Sequence, residues 1–138
     1  MVDTNIVFSA MWNTNGRIAH ILSRKSTLSF YSPTYLLLEI ANHKEKLSKK
    51  IILDSVQFLE LQHIATRRIT FVDEGQISYA NWIKAERLTS EVDSDDIAFV
   101  ALALELKCPL WTGDKRLSNA ITEIQIYQTS QLDELLNG

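Results

Sequence analysis

The sequence predicts an α/β fold, a three-layer α/β/α arrangement with a short, mostly parallel central sheet. Three observations carry this. Short apolar stretches of four or five residues alternate with longer amphipathic ones in the order β-α-β-α-α-β-α-α-β-α-β, with helices outnumbering strands. Acids fall directly after predicted strands, and sheets of this kind hold their sites beyond the carboxyl ends of their strands. The chain of 138 residues, 46% hydrophobic and 22% charged, holds enough core material for a single domain over residues 1–138.

In chain order, residues 1–3 read as the tail of an unusually short first strand, with Thr4-Asn5 as the turn after it. Residues 6–11 continue apolar, and after the loop at 13–16 a helix over 17–24 carries Ile18, Ile21 and Leu22 on one face. Residues 27–31 alternate as a second strand. Ser32-Pro33 then supplies an N-cap and a proline at the first helical position, opening a helix to about Lys46. The lysine-rich block 44–50 gives way to an amphipathic helix over 51–68 carrying Leu53, Val56, Leu59 and Ile64. A third strand is predicted over 69–72 and a helix over 77–88 with Tyr79, Trp82 and Ile83. The chain closes with a short helix near 117–121, a strand at 124–127 and a turn or helix over 129–136.

Residues 93–116, DSDDIAFVALALELKCPLWTGDKR, organise the rest. Residues 97–106 are apolar on every side except Glu105 and follow carboxylates, as a helix start prefers, so they predict a helix buried on most faces. Lys107, Cys108 and Pro109 stop it. Residues 109–112 form a short buried strand that ends at the turn Gly113-Asp114. A helix from Asp96 to Leu106 runs about 16 Å and the strand returns about 13 Å, so antiparallel packing brings Asp114 back beside Asp96. Two carboxylates brought together raise each other's pKa or require a cation, and a hard divalent ion is the simplest partner. Within YLLLEIA, Glu39 is the one ionisable residue of an apolar run, so it must be paired, protonated or bound to a cation.

Composition narrows the setting. The lone Cys108 excludes an internal disulfide and suits a reducing cytoplasm. The start of the chain lacks the pattern of a signal peptide, and no window approaches the roughly 18 apolar residues of a membrane span. With a net charge of −3 the overall field does not attract nucleic acid, so a polyanionic substrate would need local basic groups and bound cations.

The segments VDTNIVFSA with Asp3, YLLLEI with Glu39, DDIAFVALALEL with Asp96 and LWTGDKRL with Asp114 together resemble the PIN domain family of metal-dependent nucleases, from residue 2 to about 117. The resemblance implies Mg²⁺- or Mn²⁺-dependent hydrolysis of RNA phosphodiesters, with Asp3, Asp96 and Asp114 toward the metal and Glu39 positioning a metal water. Thr112 would orient the ligands by hydrogen bonding, and Asn5 would hold the loop after the first strand. Many small bacterial PIN proteins are toxins whose antitoxin blocks the acidic site, and they commonly form homodimers; this chain's size fits that pattern. It departs from the pattern in its clipped first strand and in the cluster Asp93, Asp95, Asp96, which leaves open whether Asp93 joins the metal site.

Each acid alone has an ordinary reading. Asp96 is a first-turn residue favoured by the helix dipole, Asp3 and Asp114 are turn residues, and Glu39 is a half-exposed helix position. Lys44, Lys46, Lys49 and Lys50 read first as a solvated surface, whereas Lys115 and Arg116 flank Asp114 as phosphate contacts. His20, His43 and His63 lack metal-ligand spacing and read as structural or surface. Trp12 could stack on a base near Asp3, although core or dimer packing is the commoner fate for it, for Trp82 and for Trp111. Two rivals remain. One is a non-catalytic RNA- or protein-binding module on the same fold; the other is a phosphatase-like transferase with Asp3 as nucleophile, against which Asn5 stands where a second acid is usual.

Overall fold

Residues 1–3 are extended and join the two halves of the sheet. Val2 N donates to Tyr31 O at 2.9 Å and Trp111 N donates to Met1 O at 2.7 Å, with Val2 and Trp111 in a parallel bridge. On one side lies β1 (Phe30–Pro33), parallel to β2 (Ile69–Val72) with Phe30 opposite Ile69. On the other lies β3 (Leu110–Trp111), parallel to β4 (Ile126–Tyr127) with Leu110 opposite Ile126. The sheet order is thus β2, β1, residues 1–3, β3, β4, short and parallel as the sequence predicts. This arrangement is a computed structural model that describes residues 1–51 and 53–137, without the side chains at 47, 50 and 51. The expectations for Lys50 and for Ile52 within the 51–68 helix lie outside the described residues.

Helix starts account for most departures from the predicted boundaries. The first helix, α1 (Thr4–Trp12), begins directly after Asp3, whose side chain accepts from Ile6 N. Thr4 and Asn5 therefore form a helical first turn rather than a separate turn, because the acid itself caps the helix. After α2 (Arg17–Ser23) the second strand lies later than predicted. Ser32 and Pro33 end β1 instead of opening a helix. Thr34 N donates to Val72 O at 3.2 Å, so the alternate N–H, missing at Pro33, points away from β2 and the strand tolerates proline there.

The helix α3 (Tyr35–Asn42) is instead capped from a distance. The Glu74 carboxylate accepts from Tyr35 N at 2.6 Å and from the Thr34 hydroxyl. It stops at His43, where α4 (Lys44–Ile51) begins, so the single predicted helix to Lys46 is two. An Asp54–Gln57 capping box starts α5 (Ser55–Thr66) four residues later than predicted. Ser78 caps α6 (Tyr79–Thr89), and Glu105 accepts from Ser78 N at 2.7 Å and Asn81 Nδ2 at 3.0 Å, tying α6 to the next helix.

That next helix, α7 (Ile97–Leu106), is the centre of the core, with Phe99, Val100, Ala101, Leu102 and Ala103 all buried. Lys107 stops it in the left-handed region at φ 53. Its N–H reaches Leu104 O while Cys108 N reaches Ala103 O, the paired bonds of a Schellman ending. The chain then passes through β3, α8 (Lys115–Ala120), β4 and α9 (Thr129–Asn137). Among the described residues no helix is long and apolar enough to cross a membrane.

Candidate active site

Three helical starts face the carboxyl end of the sheet, and each carries an acid. Asp3 is only 4% exposed; it accepts from Ile6 N at 3.0 Å through Oδ1 and from Thr112 Oγ1 at 2.5 Å through Oδ2. Thr112 Oγ1 in turn accepts from Asp114 N at 3.0 Å. One hydroxyl thereby fixes the acid after the central segment relative to the loop after β3. Asp114 caps α8, its Oδ1 accepting from Arg116 N at 2.9 Å and Leu117 N at 3.3 Å. Asp93 caps the 3-10 turn Ser94–Asp96 through Asp95 N. Asp96 opens α7 but makes no side-chain capping bond, so its carboxylate is left to the cavity.

Glu39 reaches the same place from α3. Leu36 and Ile40 bury the inner face of that helix while Leu37 and Leu38 are exposed, so the apolar run around Glu39 is amphipathic rather than fully buried. Glu39 is half-buried and accepts from Thr4 Oγ1 at 2.5 Å. That hydroxyl is the partner its position calls for.

Electrostatics shows which of these acids share a neighbourhood. The Asp96 pKa is pushed up from 3.8 to about 7, first by burial and then by the charges of Asp3, Asp93, Asp114 and Glu39. Burial raises the Asp3 carboxyl, the Thr112 and Ile6 hydrogen bonds pull it down, and Asp114 pushes it up again. Glu39 is raised by burial, relieved by Thr4 and raised further by Asp95, with His43 opposing. Asp3, Glu39, Asp96 and Asp114 thus interact as one group of acids, whose burial and mutual repulsion the hydrogen-bond donors only partly offset.

A cavity of about 280 Å³ lies among them, lined by Asp3, Thr4, Asn5, Phe8, Trp12, Glu39, His43, Lys46, Asp93, Asp95, Asp96 and Phe99. A second cavity of about 460 Å³ is larger and mostly apolar, lined by Tyr35, Leu38, Trp82 and Ile97 among others. Asp3, Glu39 and Asp96 meet at the smaller one. Asp114, Lys115 and Arg116 do not line it; Arg116 Nη2 turns to Glu91 O at 3.4 Å. Asn5 stands in the first turn of α1, its backbone hydrogen bond lowering the Asp3 pKa, rather than in a loop.

The PIN domain family model matches residues 1–135. The chain belongs to the PIN domain family. A comparison with curated proteins gives no match. PIN domains are generally nucleases, hydrolases of phosphodiester bonds that generally use divalent metals.

Among the described residues of this PIN domain, no three histidine, cysteine or acidic side chains meet closely enough to hold a metal ion by themselves. Both Asp3 oxygens are already engaged by protein donors. The donor set still fits a hard cation. It is all oxygen, it carries uncompensated negative charge, and Mg²⁺ commonly takes one or two carboxylates while keeping its waters. The same engagement of Asp3 leaves it badly placed as a nucleophile and weakens the phosphatase-like reading.

Thr4, Phe8 and Phe99 at this site were not singled out from the sequence, while Trp12 was named there as a possible base contact, His43 as structural or surface, Lys46 as solvated surface and Asp95 as part of an acidic cluster. Thr4 adjoins Asp3 in sequence and supports Glu39. His43 follows Glu39 by four positions and Trp12 follows Phe8 by four, spacings that place each pair on one helix face and that were legible. Lys46 belongs to a lysine block with no local sign of which member faces the site, Asp95 stood in the acidic cluster 93–96 without a role of its own, and Phe99 gave no signal separate from its helix.

Proposed function

We propose that this PIN domain is a metal-dependent endoribonuclease. The supporting observation is the convergence of Asp3, Glu39 and Asp96 on one cavity, with Asp114 within charge range and the Asp96 carboxyl raised to about 7. Acids so placed are strained without a cation and suited to one with it.

A bound Mg²⁺ or Mn²⁺ supplies water activation and neutralises charge on the attacked phosphate. Asp3, Asp96 and Asp114 would hold it, and Glu39, oriented by Thr4, would position a water. Thr112 keeps Asp3 and Asp114 in register through its two hydrogen bonds. Lys46 offers a cation to a phosphate at the cavity wall. Lys115 and Arg116 take that role only for substrate extending beyond the cavity, and Asp93 acts through its charge on Asp96.

The likeness to small PIN proteins supports RNA as substrate, a cytoplasmic setting, an antitoxin partner and a homodimer. Exposed Leu38, Tyr79 and Ile83 leave apolar surface that a second copy would cover.

The test is cleavage of a mixed pool of structured and unstructured RNAs with Mg²⁺, with Mn²⁺ and with EDTA, running Asp96→Asn alongside. Cleavage that needs the metal and disappears in the variant is expected. A folded, metal-bound protein that retains RNA but never cuts it would instead identify a binding module.

A further inference from the structure

A carboxylate that faces a bound cation is ionised, so the acids of the cavity are poor sources of a proton for a departing group. Two basic side chains stand among Asp3, Glu39, Asp95 and Asp96 on the cavity lining, His43 and Lys46. His43 is the C-cap of α3, its backbone N–H donating to Glu39 O at 3.1 Å, which sets it one turn beyond Glu39 on the same helix face. The two charges interact, His43 opposing the rise that burial gives the Glu39 carboxyl. Phe8 meets the imidazole at 5.8 Å and 78°, an edge contact that fixes the plane of the ring. Among the described residues no hydrogen bond engages its ring nitrogens, and the residue is exposed to solvent as well as to the cavity.

We propose that His43 is the general acid of the reaction, handing a ring proton to the sugar oxygen that departs when the phosphodiester is cut. The proposal rests on the nuclease reading above and adds the proton donor which that reading lacks. A departing alkoxide is strongly basic and leaves faster when it is protonated in the transition state. Histidine suits that task because its ordinary titration falls near neutral pH, where it gives up a proton and regains one readily. The other candidates on the lining suit it less. A lysine ammonium parts with its proton reluctantly near neutral pH, the Thr4 hydroxyl is committed to Glu39, and the Asn5 amide has no acidic proton. The step balances without a further reactant. The oxygen of water bonds to phosphorus as the bond to the sugar oxygen breaks. That oxygen keeps the electron pair and takes the His43 proton. The proton lost by the attacking water passes to solvent, and solvent reprotonates the exposed imidazole.

The experiment assays the full chain in Mg²⁺ on one oligoribonucleotide made in two forms, with oxygen or with sulfur as the departing atom. The ends of the parent's products identify which bridging oxygen that is. A thiolate is a weak base and leaves without a proton. His43→Gln, which stays polar but has no acidic proton, is expected to slow cleavage of the oxygen form about 100- to 10,000-fold and to leave the sulfur form nearly unaffected. Because the two forms are compared on the same protein, any loss of folded enzyme cancels. A second readout needs no turnover. In Asp96→Asn with Mg²⁺, the imidazole C–H resonances of the three histidines, with that of His43 identified by its loss in His43→Gln, are followed as the oxygen form is added. The His43 resonances are expected to move while those of His20 and His63 stay. Equal slowing of both forms, no slowing of either, or His43 resonances that do not respond would overturn the general acid. The two readings fail separately. A parent that cleaves both forms, with no selective effect of His43→Gln on the oxygen form, removes the general acid alone, whereas a parent that cleaves neither form removes the nuclease reading and this proposal with it.

Discussion

Thr112 shows how much one hydroxyl can carry. It donates to the buried Asp3 carboxylate and accepts from Asp114 N, so removing it leaves a buried acid short of a donor. Thr112→Val, which keeps the shape, is expected to lose about 1–3 kcal/mol in urea unfolding and to lower cleavage, with Thr112→Ser restoring both. Asp96 works in the opposite sense. Its folded pKa of about 7 lies above its ordinary 3.8, so the folded state holds the proton more tightly than the unfolded chain. The stability tied to that proton is fully present below the ordinary pKa and is lost as pH rises through 7. At about 1.4 kcal/mol per unit, a shift of roughly three units sets a ceiling of about 4 kcal/mol. Solvent screening of this half-exposed group reduces it. Metal-free Asp96→Asn is therefore expected to be more stable than the parent by about 1–2 kcal/mol at pH 8. The gain should vanish below pH 4, as read by denaturant midpoints at the two pH values.

At the scale of the element, α7 carries the molecule. Leu102 is fully buried on it, and Leu102→Ala is expected to cost about 2–5 kcal/mol, enough to test by thermal melting whether this helix anchors the core. Its ending offers a gain instead. Lys107 sits at φ 53, where a side chain is mildly strained, and Lys107→Gly is expected to add about 0.5–1 kcal/mol. Buried on most faces, α7 was legible to the residue because an apolar run flanked by acids and a Lys-Cys-Pro stop has few other folds. Starts set by remote partners were not. Nothing near Thr34 announces that Glu74, forty positions away, will cap α3, so Ser32-Pro33 looked like the better start and is the end of β1.

For the whole molecule, a net charge of −3 and a cavity edged with acids oppose an incoming polyanion, so a divalent cation should matter to stability as well as to cleavage. Mg²⁺ or Mn²⁺ is expected to raise the melting temperature of the parent at pH 8 and to do so much less for Asp96→Asn. Because Asp96 titrates near 7, metal binding at pH 6–7 is expected to release protons and at pH 9 to release almost none. Calorimetric titration in buffers of different ionisation enthalpy reads that difference directly, with no need of a substrate.

The sequence alone determined the α/β class and the place of α7, and it singled out Asp3, Glu39, Asp96 and Asp114 as candidates, because apolar periodicity and lone acids beside apolar runs are local patterns. The PIN resemblance was present in those same segments. Only the tertiary structure decided what stands around the acids. Thr4 reaches Glu39 across 35 positions and Thr112 reaches Asp3 across 109, while Phe8, Trp12, His43 and Lys46 come to one cavity from three helices. Hydrogen bonds and burial depend on distance in space, which a chain reveals only when it has packed.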